Sequence, residues 1–168
     1  NSEKFTNFAI MDKPKILIAT AVRNADGSFA IADDEVDILT AYRTLEYGEL
    51  SGMNAYGKPV TYTETYAEGG TDVFFAEGNA TTDLTMKLYL FGTLEEITAD
   101  YHALVASLTG RYIRLADNIR RRKMILALCE ATEPATERLY GTVYFSVSIK
   151  FTNILGRSYD ITDNTRFT

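Results

Sequence analysis

The sequence predicts an α+β domain: a mainly antiparallel β-sandwich or barrel with one flanking α-helix, at about residues 93–109. Three observations predict it. Aromatic residues are abundant, with 11 Tyr and 9 Phe, and together with many Thr they favour sheet over helix. Several segments alternate apolar and polar side chains at period two, the mark of a strand with one face on a core. Only one stretch, beginning at Thr93, repeats its apolar residues at helical spacing with a start and a stop signal.

In chain order, residues 1–13 are polar apart from a patch at Phe8–Met11 and are expected to form an extended arm or an edge strand. Lys15–Val22 (KILIATAV) reads as a strand. Asn24–Gly27 signals a turn, and Ser28–Ile31 is its return strand. Asp33–Glu35 opens an ambiguous segment. Val36, Ile38 and Thr40 alternate as in a strand, whereas Asp34 could cap a helix carrying Val36, Leu39, Ala41 and Tyr42; helix or turn is the preferred reading. Gly48–Gly57 reads as a loop. Lys58–Tyr66 alternates again, Gly69–Gly70 turns the chain, Val73–Phe75 is short and apolar, and Glu77–Asn79 is a further turn.

The stretch from Thr82 to Leu155 is the centre of the chain. In Thr85–Phe91, Met86, Leu88 and Leu90 face one way and Lys87, Tyr89 and Phe91 the other. Thr93 and Glu96 form a capping box. Leu94, Ile97, Tyr101, Leu104, Val105 and Leu108 make an apolar stripe, and Gly110 supplies the stop. Arg111–Leu115 is a short strand with Tyr112 and Ile113 partly buried, and Ala116–Asn118 a turn. Arg120–Lys123 leads into Met124–Cys129 (MILALC), whose length suits a buried strand. Glu130–Glu137, with Pro134, reads as an exposed loop. In the last strand Val143, Phe145, Val147, Ile149 and Phe151 share one face; Tyr140, Thr142, Tyr144, Ser146, Ser148 and Lys150 share the other. Roughly 13 alternating residues exceed the usual strand.

At 168 residues the chain fits one domain, with an arm at 1–13 and a polar tail at 156–168 that is mobile or docked on a partner. A net charge of −6 argues against non-specific nucleic-acid binding as the main activity. No run approaches the ~20 apolar residues of a membrane span, and no signal-peptide core stands at the start, although a segment removed before Asn1 would leave no trace.

No catalytic, cofactor-binding or metal-binding set emerges. His102, the sole histidine, lies off the helix stripe and reads as a solvated residue; a Cys129–His102 dyad lacks an orienting acid. Cys129, the sole cysteine, reads as a buried core thiol, and two such residues cannot hold zinc. Asp33–Asp37 lacks calcium-loop spacing and reads as an exposed charged turn. No phosphate-binding glycine motif is present. Asn79–Thr81 matches a glycosylation sequon by pattern alone. Arg120–Arg121–Arg122–Lys123, with Arg111 and Arg114 nearby, is the one basic run, suited to a solvated loop, an interface ion pair or a phosphate contact.

Three stretches together resemble bacteriophage tail proteins: Gly57–Tyr66 followed by Gly69–Glu77, then Leu84–Tyr112, then Leu139–Phe151. Their strand–helix–strand order with a long closing strand is similar to the N-terminal belt domain of distal tail proteins and to the tail-tube fold. The resemblance covers roughly residues 57–155 and rests on pattern, without an invariant signature. It implies a non-enzymatic structural protein of a phage or prophage tail, without cofactors, forming closed rings, commonly hexamers, by sheet extension between subunits. It implies other tail proteins as partners, DNA at most passing through a lumen, no membrane, and a place in the virion after assembly in the bacterial cytoplasm. A second, C-terminal domain of the full distal tail protein is not found in these residues, which leaves the position in the tail open. The subunit-interface candidates are Tyr140, Thr142 and Tyr144 on the last strand and Arg120, Arg121, Arg122 and Lys123 in the basic run. The rival reading is a small-ligand or glycan-binding β-barrel using its tyrosines, which would require them to converge on one cavity. An enzyme would require a cleft with two close carboxylates.

Overall fold

The computed structural model describes residues 13–58, 64–65, 71–72, 79–139, 141–164 and 167–168. In chain order the elements are β1 (Ile16–Arg23), β2 (Phe29–Ile31), β3 (Val36–Asp37), the one-turn helix α1 (Ile38–Ala41), β4 (Leu45–Ser51), β5 (Glu64–Thr65) and β6 (Thr71–Asp72). They continue with β7 (Thr82–Leu90), the long helix α2 (Leu94–Leu108), β8 (Tyr112–Asp117), β9 (Arg122–Ala131), β10 (Ala135–Leu139), β11 (Thr142–Asn153) and β12 (Tyr159–Asp160). Ten of these strands form one sheet, ordered β2-β1-β8-β9-β11-β7-β4, with β3 beside β1, β10 beside β11 and β12 beside β9; β5 and β6 pair separately. The pairings are antiparallel. This is the expected α+β architecture, a folded antiparallel sheet flanked by one long helix.

The alternation of β7 and β11 decides the core. Leu84, Met86, Leu88 and Leu90 are wholly buried, and Val147, Ile149 and Phe151 face them from the neighbouring strand. The sheet folds over so that Ile16 and Ile18 of β1, Ile38 of α1 and Leu45 and Leu50 of β4 join the same cluster. Helix α2 covers it with Ile97, Leu104 and Leu108, each worth about 1.5–3 kcal/mol on full burial. The Thr93 hydroxyl accepts the Glu96 N–H at 3.2 Å, as the capping box requires. Three bonds dock the helix: Asp100 accepts from the Thr44 N–H and hydroxyl at 3.1 and 2.8 Å, and the Tyr101 hydroxyl donates to the Thr132 carbonyl at 2.8 Å. Two stripe or strand expectations fail at element ends: Leu94 is 66 % and Val143 52 % exposed. Both lie beyond the margin of the core that their faces address.

β9 explains its continuous apolar run. Met124 and Leu126 enter the main core, while Ile125 enters a second cluster with Ala21, Phe29, Tyr159 and Phe167. A strand covered on both faces loses alternation. The cover is the chain's own C-terminal segment: β12 pairs with β9, and Phe167 is buried and bridges Phe29. Residues 156–168, expected as a mobile tail or one docked on a partner, are thus packed on the protein's own sheet over the described part.

Further corrections concern β-structure read as loop. Leu45–Ser51 is an edge strand, and Gly48 is a bulge between Tyr47 and Glu49, where a Cβ would stand 2.3 Å from the Lys87 carbonyl oxygen. The glycine marks close backbone approach rather than a loop. β8 runs through Asp117, moving the turn to residues 118–121. Residues 130–137 contribute to β9 and β10, leaving residues 132–134 as the connection. Ile113 is fully buried. Both readings of the segment after Asp33 hold in part: Val36–Asp37 is strand, and the helix follows with Asp37, not Asp34, as its N-cap, accepting the Leu39 N–H. The arm at residues 1–12, the strand expected at 58–66 except Lys58 and Glu64–Thr65, the Gly69–Gly70 turn and Val73–Phe75 lie outside the described residues.

Candidate subunit interface

β11 is paired along both edges. β7 takes one edge from Phe145 to Asn153; β10 and then β9 take the other. Because β7 stops opposite Phe145, the hairpin residues Glu137–Leu139 and Thr142–Tyr144 extend past the body of the sheet. Leu139 pairs with Thr142 across Gly141. Among the described strands β10 pairs with β11 alone and β4 with β7 alone. Each therefore offers an edge of backbone donors and acceptors.

Tyr144 stands on the outer face of this hairpin. Its ring stacks on Phe91 at 5.5 Å and meets Tyr89 edge-on at 5.3 Å, and Lys87 lies over Tyr89 at 5.5 Å. Phe91 is 44 % exposed. An aromatic group thus decorates the face of β7 and β11 turned away from the core, and aromatic rings with one wet face are the preferred anchors of protein interfaces. Of the three candidates on this strand, Tyr144 is in the group, Thr142 contributes its backbone to the hairpin, and Tyr140 lies outside the described residues.

The basic run is divided by the start of β9. Arg120 and Arg121 lie on the turn and are exposed, Arg121 with φ 57°. Arg122 is turned inward to Ser158, donating from Nε to the hydroxyl at 2.9 Å and from Nη2 to the carbonyl at 2.8 Å. Lys123 donates to the Asp163 carbonyl and lies over the Phe167 ring at 5.3 Å. Half of the run therefore fastens the C-terminal segment. The two candidate sets are not adjacent: at ~3.3 Å per residue the ends of β9 are roughly 30 Å apart.

The remaining sequence candidates are also placed. His102 is exposed beside Tyr101. Cys129 is exposed, a correction of the buried-thiol expectation: Leu128 and Cys129 lie past the end of β8, where β9 loses one neighbour. The acidic turn is fastened by Arg111–Asp34 at 3.1 Å, just before β8, and by Arg114–Glu35 on β8. Hydrogen bonds from the Thr20 hydroxyl and N–H, with the nearby Arg111 guanidinium, hold the Asp34 carboxyl below its ordinary range. No group of three or more metal-ligating side chains occurs among the described residues, and no described helix is long and apolar enough to cross a membrane. The described tyrosines do not converge on one cavity. Tyr112, Tyr101 and Tyr47 each line a separate depression, and Tyr159 is buried in the second cluster.

Sequence reasoning set Tyr89 and Phe91 on the face away from the core without singling them out as interface candidates, and it placed Leu94 in the buried stripe, whereas Leu94 is exposed. The signal for the first two was present: both occupy the polar-facing side of an alternating strand, where a large ring calls for an explanation.

No protein-family model matches the chain, and no curated protein matches it significantly. Solved structures do match. The Dit protein of phage SPP1, described as a paradigm of the hub adsorption apparatus in phages infecting Gram-positive bacteria, aligns with a TM-score of 0.51 and 16 % identity, over 86 % of this chain and 52 % of that one. A chain of the phage p2 baseplate in its activated conformation with strontium aligns at 0.51 and 20 %, over 85 % and 45 %. The corresponding calcium structure gives 0.51 and 19 %, over 85 % and 45 %. The chain thus spans about half the length of the solved chains it matches, and at these identities the likeness is one of fold.

Proposed function

We propose that this chain is a non-enzymatic structural component of a phage or prophage tail that assembles into a ring by extending its sheet between subunits. The observation that carries the reading is the projecting β10–β11 hairpin, whose outer β10 edge has no partner among the described strands, with the Tyr89–Phe91–Tyr144 group beside it. An unpaired strand edge is a template for a neighbouring chain, and an aromatic face beside it supplies the apolar area that an edge alone lacks. The fold shared with the SPP1 Dit protein and with a p2 baseplate chain supports a place in the hub or baseplate region. A cyclic ring, a hexamer for instance, requires a heterologous contact repeated around an axis. In this reading other tail proteins stack on the ring, DNA passes its lumen, and the chain reaches the virion from the bacterial cytoplasm.

The test is the mass of the purified chain by light scattering across a concentration series, repeated with Tyr144→Asp. A defined oligomer that Tyr144→Asp weakens supports the reading. A wild-type chain that stays monomeric to the highest concentration, or an oligomer indifferent to the hairpin, overturns it.

A further inference from the structure

We infer that the turn between β8 and β9 of one copy seats in the groove between α2 and the β9–β10 connection of the next, so that copies associate head to tail. This rests on the ring reading and names the two surfaces that meet.

The turn is held rigid from beneath. Asp117 is wholly buried, with its carboxylate accepting the Ile119 N–H at 3.0 Å and the Tyr47 hydroxyl at 3.5 Å. Asn118 accepts the Lys15 N–H and donates to the Lys13 carbonyl, both at 2.7 Å. So fixed, the turn presents Ile119, 42 % exposed, followed by exposed Arg120 and Arg121. Arg121 carries the second of these charges at a positive φ of 57°. The turn thus pairs an apolar side chain with positive charge on one rigid projection.

The other end of β9 is its complement. A groove of about 650 Å³ lies between α2 and the β9–β10 connection. Ile97, Tyr101 and Phe145 line it, and Leu94 lines it while 66 % exposed. Glu133 is in its wall, and exposed Glu95 and Glu130 each adjoin a lining residue in sequence. Among the described residues the ion pairs are Arg111–Asp34 and Arg114–Glu35, and neither Arg121 nor Glu133 is in one, although the Arg121 charge also acts on Asp160 of β12.

Charge complementarity selects a second copy as the occupant. At a net charge of −6 two copies repel each other on average, so association needs local opposite charge at the contact. The turn and the groove provide it on one chain, at opposite ends of one strand. Two different surfaces that fit each other make a heterologous contact, the kind that closes rings or runs on as filaments, rather than a two-fold dimer.

The test uses the full chain in light scattering with three variants: Arg121→Glu, Glu133→Lys and Ile119→Asp. All three positions are exposed, and unchanged melting curves establish intact folding. Each variant alone is expected to weaken self-association by about tenfold or more, since like charges or a buried carboxylate then meet at the contact. The decisive sample is an equimolar mixture of Arg121→Glu with Glu133→Lys. Each variant's altered surface then faces its opposite on the other chain, and association is expected to recover. A mixture no better than its components, or variants that assemble like wild type, overturns this contact while the ring reading stands. A wild-type chain that never assembles overturns both.

Discussion

Replacing Gly156 by Ala should destabilise the protein far more than the same change at Gly110. Both residues have positive φ, 65° and 78°, and an L-residue there costs ~1–2 kcal/mol. At Gly110 that is the whole effect, because a Cβ would meet nothing within 4 Å. At Gly156 the Cβ would stand 2.0 Å from the Ala80 carbonyl oxygen and 2.9 Å from the Asn79 Cβ. Backbone must move by about an ångström to relieve this. The Gly57 N–H bond to the Gly156 carbonyl, 2.8 Å, stretches with it, and its loss costs a further ~1 kcal/mol. The sum is ~3 kcal/mol or more. For a chain of this size 1 kcal/mol moves the melting temperature by about 2–4 °C. Gly156→Ala should therefore lower it by roughly 6–12 °C, and Gly110→Ala by about half of that or less. Differential scanning calorimetry of the two variants beside wild type reads the comparison. Equal losses would refute the reasoning, since they would mean that the turn after β11 does not press on residue 80.

Leu88→Ala, at a wholly buried site between β4 and β11, should cost about 2–5 kcal/mol in denaturant unfolding, whereas Val143→Ala should stay within ~0.5 kcal/mol. Asp34 has a folded-state pKa below its unfolded value, so its contribution is present above the unfolded pKa and is lost as pH falls through the folded one. Asp34→Asn should accordingly flatten the acid-side fall in melting temperature below about pH 4, an effect kept small by the exposure of the pair. Cys129 is exposed, so one thiol equivalent should react promptly with a disulfide reagent such as DTNB in the native protein; a thiol that titrates only in denaturant would contradict the placement of β9.

The parts of this fold that a single sequence discloses are those set by local periodicity. β7, α2 and β11 are readable because each keeps one buried face, and period two or 3.6 then appears directly in the residues. β4 escaped because a bulge at Gly48 interrupts its alternation and a glycine there resembles a turn. β9 was read short because its second apolar face is covered by residues some 30–40 positions later, Tyr159 and Phe167, and nothing local announces that cover. The same distance hid the role of Arg122 and Lys123. A run of four cations reads as one feature, yet strand geometry turns two of them onto the C-terminal segment. Tyr144 was identifiable from its strand face, but its partners Tyr89 and Phe91 become neighbours only through the β7–β11 register.

β11 borders β7, β9 and β10, and it is made after all three. Until residues 142–153 exist, β7 and β9 have no common neighbour, and the two halves of the sheet cannot be joined. β7 must then wait across some 60 intervening residues for its partner, a separation that slows closure and keeps apolar strand edges open meanwhile. The strand that joins the halves also lends its own end to the projecting hairpin. Joining the halves and raising the hairpin are thus one event, and a chain still lacking β11 has neither.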